Sequence, residues 1–233
     1  MGAPTMDNSL DIPHYMLPRP TLTYTDDDRA VFDSLLQAAA NGDGRIAYHH
    51  PLPRWQFLCY LAEEKGFLLH GSGDPDVRCF EPQPNSDINP FGAQTAVYAA
   101  SDGIWPLYYA ILDRDRYPMT LHNACTRFCA SGQWSEPLYF ISITETALVQ
   151  QPWRDGTVYL LRRDTFTPHP DTEYRGFPLQ IPMWASQEPV IPVAKLAVTP
   201  EDFPFLAHIR GHDDAVVSEQ TFANPNGFPD LHQ

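Results

Sequence analysis

The sequence is poor in basic residues and in cysteine, and it has no long apolar run. Lysine and arginine total 15 against 29 aspartates and glutamates, so the formal net charge is -14 at pH 7. Such an acidic chain repels nucleic acid and anionic membranes, and we expect neither as a partner. Its 4 cysteines are too few for a disulfide-built scaffold, and no apolar run approaches the roughly 18 residues of a membrane span. Because the N-terminus also lacks a signal-peptide pattern, we expect a cytoplasmic protein, with a secreted effector as the alternative.

Several motifs that would indicate a particular chemistry are missing as well. The sequence contains no P-loop, no GxGxxG, no HExxH and no GxSxG pattern, so a bound dinucleotide would not be held by a Rossmann unit. His122, Cys125 and Cys129 have a spacing that a helix would place on one face. A fourth ligand is missing from any obvious position, and we therefore predict no metal site.

What is present indicates one globular core. With 233 residues, of which 43% are hydrophobic, the chain is long enough for one well-buried core and too short for two full domains. Thr25 followed by an aspartate run predicts the start of a helix, and Asn41-Gly42 predicts its end. A second helix is predicted at about 53–65, with Gly66 as its left-handed cap, and a third at 106–112.

Strand patterns alternate with loops along the rest of the chain. We predict strands at 67–70, 138–144, 157–163 and 190–198, and a proline-rich loop at 165–187 that is a candidate lid. The strands are not joined by regular crossover helices, which favours an α+β fold over a doubly wound parallel sheet. We divide the chain into an arm and helix packed on the core (1–50), a main domain (51–210) and a C-terminal tail (211–233).

The most informative segment is residues 67–73, FLLHGSG, an apolar strand that runs into a glycine-containing turn. A strand end places His70 at the rim of a sheet, and Gly71 lacks the Cβ that would keep a flat ligand from its backbone N–H and C=O. A second segment follows at 96–109, AVYAASDGIWPLYY, with Tyr98 on a strand and Tyr109 on the helix after it. Together these groups suit the binding of an aromatic amide.

These segments resemble two motifs of the ADP-ribosyltransferase superfamily, in its His-Tyr-Glu branch of poly-ADP-ribose polymerases and diphtheria-toxin-like enzymes. The first is similar to the family strand that ends in His-Gly-Ser/Thr, and the second to its tyrosine strand and tyrosine-bearing helix. Residues 186–198, SQEPVIPVAKLAV, are the candidate for a third motif, in which a glutamate opens a late strand. The resemblance covers residues 66–200 approximately. It implies a split β-sheet core with flanking helices and a helical N-terminal extension, and NAD as the substrate.

The resemblance also implies a role for each residue of the first two motifs. Nicotinamide leaves ribose through a positively charged, oxocarbenium-like state, so the site must orient an amide and stabilise a cation. His70 would hydrogen-bond a ribose hydroxyl of NAD, and Gly71 would pin the carboxamide through its backbone, with Ser72 as a further contact. Tyr98 and Tyr109 would sandwich the nicotinamide ring.

Glu188 is the carboxylate that we predict for this cation, and with His70 and Tyr98 it forms the predicted catalytic set. It would bind the 2′-hydroxyl of the nicotinamide ribose and favour the charge that develops in the transition state, as glycosidase carboxylates do. Glu145, at a strand end, and Glu173, in a polar loop, are rivals. Relatives that modify arginine carry a second Glu or Gln two residues before the catalytic one. The corresponding residue here is serine, which argues against arginine as the acceptor.

We therefore expect an enzyme that cleaves the nicotinamide–ribose bond of NAD and transfers ADP-ribose to a protein or small-molecule acceptor. Hydrolysis of NAD by water is a close alternative that the sequence does not separate from transfer. The tRNA 2′-phosphotransferases share the fold, but they need basic residues to hold RNA phosphate, and this chain has few. A non-catalytic binding module with the same fold is the remaining alternative, and it predicts that Glu188 lies far from His70.

Overall fold

Helices and strands are mixed along the chain, in agreement with the predicted α+β class. The computed structural model describes residues 12–85, 87, 89–224 and 227–228. The start of the predicted N-terminal arm and the end of the predicted C-terminal tail lie outside these residues. Across the ranges that are described, no helix combines the length and the apolar character needed to cross a membrane.

Three of the five α-helices of the described chain begin and end close to the positions that local sequence signals predict, and two were not predicted. The five are α1 (Asp26–Asn41), α2 (Arg54–Glu63), α3 (Trp105–Ile111), α4 (Glu145–Leu148) and α5 (Asp214–Ala223). Thr25 and Asp28 start α1 through a capping box, in which each side chain accepts a hydrogen bond from the other residue's backbone N–H. Gly66, after α2, has a φ of 74°, which is the predicted left-handed cap. The three predicted helices are confirmed.

The strands of the described chain form two sheets. They are β1 (Leu17–Pro18), β2 (Leu68–Ser72), β3 (Val97–Ala100), β4 (Leu121–Ala130), β5 (Gln133–Trp134), β6 (Leu138–Thr144), β7 (Gly156–Leu161), β8 (Thr167–Pro168), β9 (Thr172–Tyr174), β10 (Phe177–Gln180), β11 (Met183–Ser186), β12 (Ala194–Val198) and β13 (Arg210–His212). The first sheet has the order β12-β7-β2-β3-β11-β8 and is antiparallel. The second has the order β1-β6-β4-β10-β9, with β5 paired to β4 and β13 parallel to β6.

The main hydrophobic core joins both sheets to the first three helices. Leu69 of β2, Ile141 of β6, Phe32 of α1, Leu58 of α2 and Leu107 of α3 are all buried in it. Because successive strand residues point to opposite faces, the residue before Leu69 contributes to a smaller cluster on the other face of the first sheet. The first sheet is therefore covered on both faces, and α3 lies on the side of the main core.

Two predictions about the later strands are wrong. Residues 165–187 are not a free loop, because they contain β8 to β11 and pass from the first sheet to the second and back. The strand predicted at 190–198 begins only at Ala194. Pro189 and Pro192 have no backbone N–H to give to a strand ladder, which explains the late start.

Two further corrections concern the second sheet. His122, Cys125 and Cys129 lie in β4, a strand that was not predicted, and not on a helix. Strand alternation puts His122 and Cys125 on opposite faces. The segment predicted as a tail from residue 211 is part of the fold at its start, since β13 pairs with β6 and α5 follows it.

Candidate functional site

The first sheet opens between β2 and β3 at the predicted His-Gly motif. β2 pairs with β7 from Leu68 to Ser72, whereas its pairing with β3 in the described chain is confined to Leu69 and Ala100. Beyond Leu69 no backbone pairing joins the two strands in the described chain, and the imidazole of His70 hydrogen-bonds to Tyr98 across them. We call this opening, bounded by His70, Gly71 and Tyr98, the notch.

His70 is held in one tautomer by its bond across the notch. Its Nδ1 lies 2.6 Å from the carbonyl oxygen of Tyr98. A carbonyl oxygen accepts only, so we assign the hydrogen to Nδ1, which leaves the Nε2 lone pair of the neutral ring as an acceptor. Burial lowers the pKa of His70, and the charge of Arg114 lowers it further, against the opposing effect of the Tyr98 bond. The neutral ring therefore offers an acceptor that suits a hydroxyl donor such as ribose.

Gly71 allows α3 to pack directly on β2. A Cβ at this position would overlap the carbonyl oxygen of Pro106 and crowd the backbone nitrogen of Ala110. The glycine therefore has a packing role in addition to the predicted exposure of its backbone to a ligand. Because Ala110 contacts Gly71, the neighbouring Tyr109 is held beside the strand.

Tyr109 presents a fixed, neutral and partly exposed ring. Its hydroxyl donates to Oδ1 of Asn123 at 2.8 Å, and the same oxygen accepts from Nε1 of Trp105 at 2.6 Å. Burial raises the pKa of Tyr109 to about 12, although the Asn123 bond and the charge of Arg114 act in the opposite direction. Such a ring is suited to contact with a flat aromatic ligand.

The hydroxyl of Tyr98 is used inside the protein. It lies 2.7 Å from the carbonyl oxygen of Gly92, 2.9 Å from that of Gln94 and 3.1 Å from that of Phe91. Burial raises the pKa of Tyr98, so the hydroxyl keeps its proton for these bonds. Tyr98 thus anchors the segment that precedes β3, and its carbonyl positions His70. Ser72 is also engaged locally, since its Oγ accepts from the N–H two residues on.

Glu188 does not join the notch. It is exposed and follows β11, and its backbone N–H donates to Oγ of Ser186 at 3.2 Å. Ser186 pairs with Val97, so Glu188 lies beyond the start of β3. Within the described residues its carboxylate makes no hydrogen bond or ion pair with His70 or Tyr98. The prediction that Glu188 opens a strand is wrong, because it lies in the connection before β12.

The two rival carboxylates lie elsewhere. Glu145 opens α4, and its carboxylate lies against Gly211 of β13. Glu173 is exposed in β9, where it pairs with Pro178, so its predicted position in a loop is wrong. Both residues belong to segments around the second sheet, and the notch is in the first.

Two arginines near the notch were not singled out from the sequence. The guanidinium of Arg154 lies against Gly73, where a Cβ would overlap its Nη2, Cζ and Nε atoms. The charge of Arg114 influences the pKa of both His70 and Tyr109. Gly73, the second glycine of the segment at 67–73, indicates that another group approaches the backbone closely. Only the fold shows that this group is the guanidinium of Arg154.

Comparison with protein-family models, with curated proteins and with solved structures finds no match for this chain. The fold and the site define an α+β protein whose first β-sheet is opened at a His-Gly strand end. The chemistry of the notch therefore has to be inferred from its own residues.

Proposed function

We propose that this protein binds NAD in the notch and transfers its ADP-ribose to a protein or small-molecule acceptor, releasing nicotinamide. The observation that carries the proposal is the junction of β2, β3 and α3. The His-Gly strand and the tyrosine strand are neighbours that part after Leu69, and the helix with the second tyrosine packs on Gly71. A split sheet of the ADP-ribosyltransferase kind would account for this arrangement.

The residues of the notch suit the two ends of nicotinamide riboside. The Nε2 lone pair of His70 would accept a hydrogen bond from a ribose hydroxyl. The backbone of Gly71 would pair with the carboxamide, and the ring of Tyr109 would lie against the pyridinium. Because α3 and β2 are rigid elements in contact, these groups are held in place before the ligand arrives.

In the reaction, the bond between C1′ of ribose and the pyridinium nitrogen breaks, and its electron pair leaves with neutral nicotinamide. The acceptor nucleophile then forms a bond to C1′ and loses its proton. A carboxylate near the ribose would favour the cationic transition state over the ground state. Glu188 remains our candidate, and in this proposal the connection at 187–193 moves toward the notch when NAD binds.

A non-catalytic NAD-binding module is the second candidate. It is favoured by the exposed position of Glu188, whose carboxylate makes no contact with the notch residues within the described chain. A notch without a carboxylate can still hold nicotinamide, but it lacks the group that stabilises the developing cation.

The two candidates are separated by measuring NAD binding and nicotinamide release side by side. We expect purified protein to bind NAD in calorimetry and to release nicotinamide in a chromatographic assay. Glu188→Ala should keep the affinity and lose most of the release, whereas Glu219→Ala, at an exposed position of α5, should change neither. Binding without release supports the module, and absence of both contradicts the proposal. Free ADP-ribose as the product would indicate hydrolysis.

A further inference from the structure

An arginine side chain lies against Gly73, directly after the end of β2 and two residues beyond Gly71. Leu69 and Gly71 point to one face of β2, because strand side chains alternate, and Gly73 follows the end of the strand at Ser72. Leu69 is in the core, Gly71 lies under α3, and Gly73 lies under the guanidinium of Arg154. At about 3.3 Å per residue at most, Gly73 lies no more than roughly 7 Å along the chain from Gly71.

Arg154 has unused hydrogen-bonding capacity. Its backbone N–H donates to the carbonyl oxygen of Ile111 at 2.9 Å, which fixes it at the end of α3. Its Nη1 lies 2.8 Å from Asp115 and 3.7 Å from Asp113. Its Nε is buried and has no hydrogen-bond partner within the described residues. A buried donor without a partner is uncommon in folded proteins and marks a place for an acceptor oxygen.

The shorter ion pair of Arg154, with Asp115, is weak. The side chain of Asp115 is 86% exposed, and solvent screens pairs of this kind. A phosphate group offers an arginine two parallel hydrogen bonds, which makes it the stronger partner. A dianionic ligand also needs a local cation to approach a chain with a formal net charge of -14.

Building on the proposed function, we propose that Arg154 binds the diphosphate of NAD and that Asp115 is the competing anion that the diphosphate displaces. The nicotinamide end of the ligand would lie at Gly71 and its diphosphate at Gly73, where the missing Cβ leaves the guanidinium close to the strand. Arg154 is in this account a binding residue, and it takes no part in breaking the glycosidic bond.

The test uses three probes in calorimetry with the full chain: NAD, ADP and nicotinamide riboside, which has no phosphate. We expect Arg154→Gln to weaken NAD and ADP about tenfold or more and to leave nicotinamide riboside unchanged. We expect Asp115→Asn to tighten NAD and ADP severalfold, because it removes the competitor. Arg116→Gln changes an exposed arginine next to Asp115 and should alter none of the three affinities.

A purely structural Arg154 would change thermal stability and leave the ratio of NAD to riboside affinity unchanged, which would overturn the proposal. If Arg154→Gln does not fold, Asp115→Asn decides, since an unchanged affinity for NAD and ADP contradicts the competition. Arg154-dependent ADP binding without nicotinamide release contradicts the proposed function and supports the subsite. If Arg154→Gln releases nicotinamide with the KM for NAD of the wild type, the result contradicts the diphosphate subsite but not the proposed function. Failure of the wild type to bind any probe contradicts both.

Discussion

The Nδ1 atom of His70 lies 2.6 Å from the carbonyl oxygen of Tyr98, across two strands whose pairing ends at the preceding residue, Leu69. A side-chain hydrogen bond from His70 thus links the two strands directly after their last backbone pair. The bond keeps the strands linked while they diverge, and it turns the Nε2 lone pair of His70 away from Tyr98. The same contact therefore shapes the notch and sets its hydrogen-bonding character.

Removing the imidazole should weaken the binding of NAD. We expect His70→Ala to raise the Kd about tenfold, because it deletes the acceptor for the ribose hydroxyl. His208→Ala, at an exposed position, is the matched control and should leave the Kd unchanged. Calorimetric titration with NAD measures both, and equal affinities for the wild type and His70→Ala would remove His70 from the site.

The lowered pKa of His70 predicts a pH dependence of stability. The folded protein binds this proton less readily than the unfolded chain does. The contribution is therefore complete above the ordinary histidine pKa of about 6.5 and is lost as the pH falls below it. We expect the free energy of unfolding in urea to fall less between about pH 7.5 and about pH 5 in His70→Asn than in the wild type. His122 and His212 also have pKa values lowered by burial. Their contribution to the pH dependence of unfolding is present in both the wild type and His70→Asn, so it does not affect the comparison. Identical slopes would contradict the prediction.

The contact between β2 and α3 predicts a steric cost at Gly71. We expect Gly71→Ala to lower the free energy of unfolding by about 1–3 kcal/mol, because the new methyl group meets the carbonyl of Pro106. Ser72→Ala, the next position of the strand, removes one exposed side-chain hydrogen bond and should cost less than about 1 kcal/mol. Denaturant unfolding compares the two variants. Equal costs would show that the helix does not press on the strand.

The ring and the hydroxyl of Tyr109 should have separable effects. We expect Tyr109→Phe to bind NAD nearly as well as the wild type, since it loses only the bond to Asn123. Tyr109→Ala should weaken binding about threefold to tenfold, which corresponds to about 0.5–1.5 kcal/mol of aromatic contact. Should the two variants bind alike, the ring is not a wall of the site.

Local signals in the sequence were sufficient for the first three helices, whereas α4 and α5 were not predicted. The cap at Thr25 and the glycine at 66 act over a few residues, and both are where the sequence puts them. The strands at 165–187 were missed because their prolines favour loops and because β10 and β11 also pair with strands that are distant in the chain, β4 and β3. The connection before β12 was wrongly predicted as part of a strand. Its apolar residues are typical of a strand, but its prolines interrupt the strand.

Within the site, the sequence indicated His70, Gly71 and Tyr98 as neighbours only through the resemblance of their two segments to a pair of family motifs. It did not indicate Arg154, which reaches Gly73 only when β7 aligns with β2. It also put Glu188 at the start of a strand. A carboxylate's distance from a sugar is a property of the folded connections and cannot be read from spacing alone.

The central claim is that the notch holds NAD with its nicotinamide at Gly71, and the rate of nicotinamide release by the purified protein tests it most directly. The account predicts measurable release by the wild type, loss of most of it in Glu188→Ala, a fall of about threefold to tenfold in Tyr109→Ala at subsaturating NAD, and wild-type release by Glu219→Ala. No nicotinamide release together with no detectable NAD binding by the folded wild type would contradict the account.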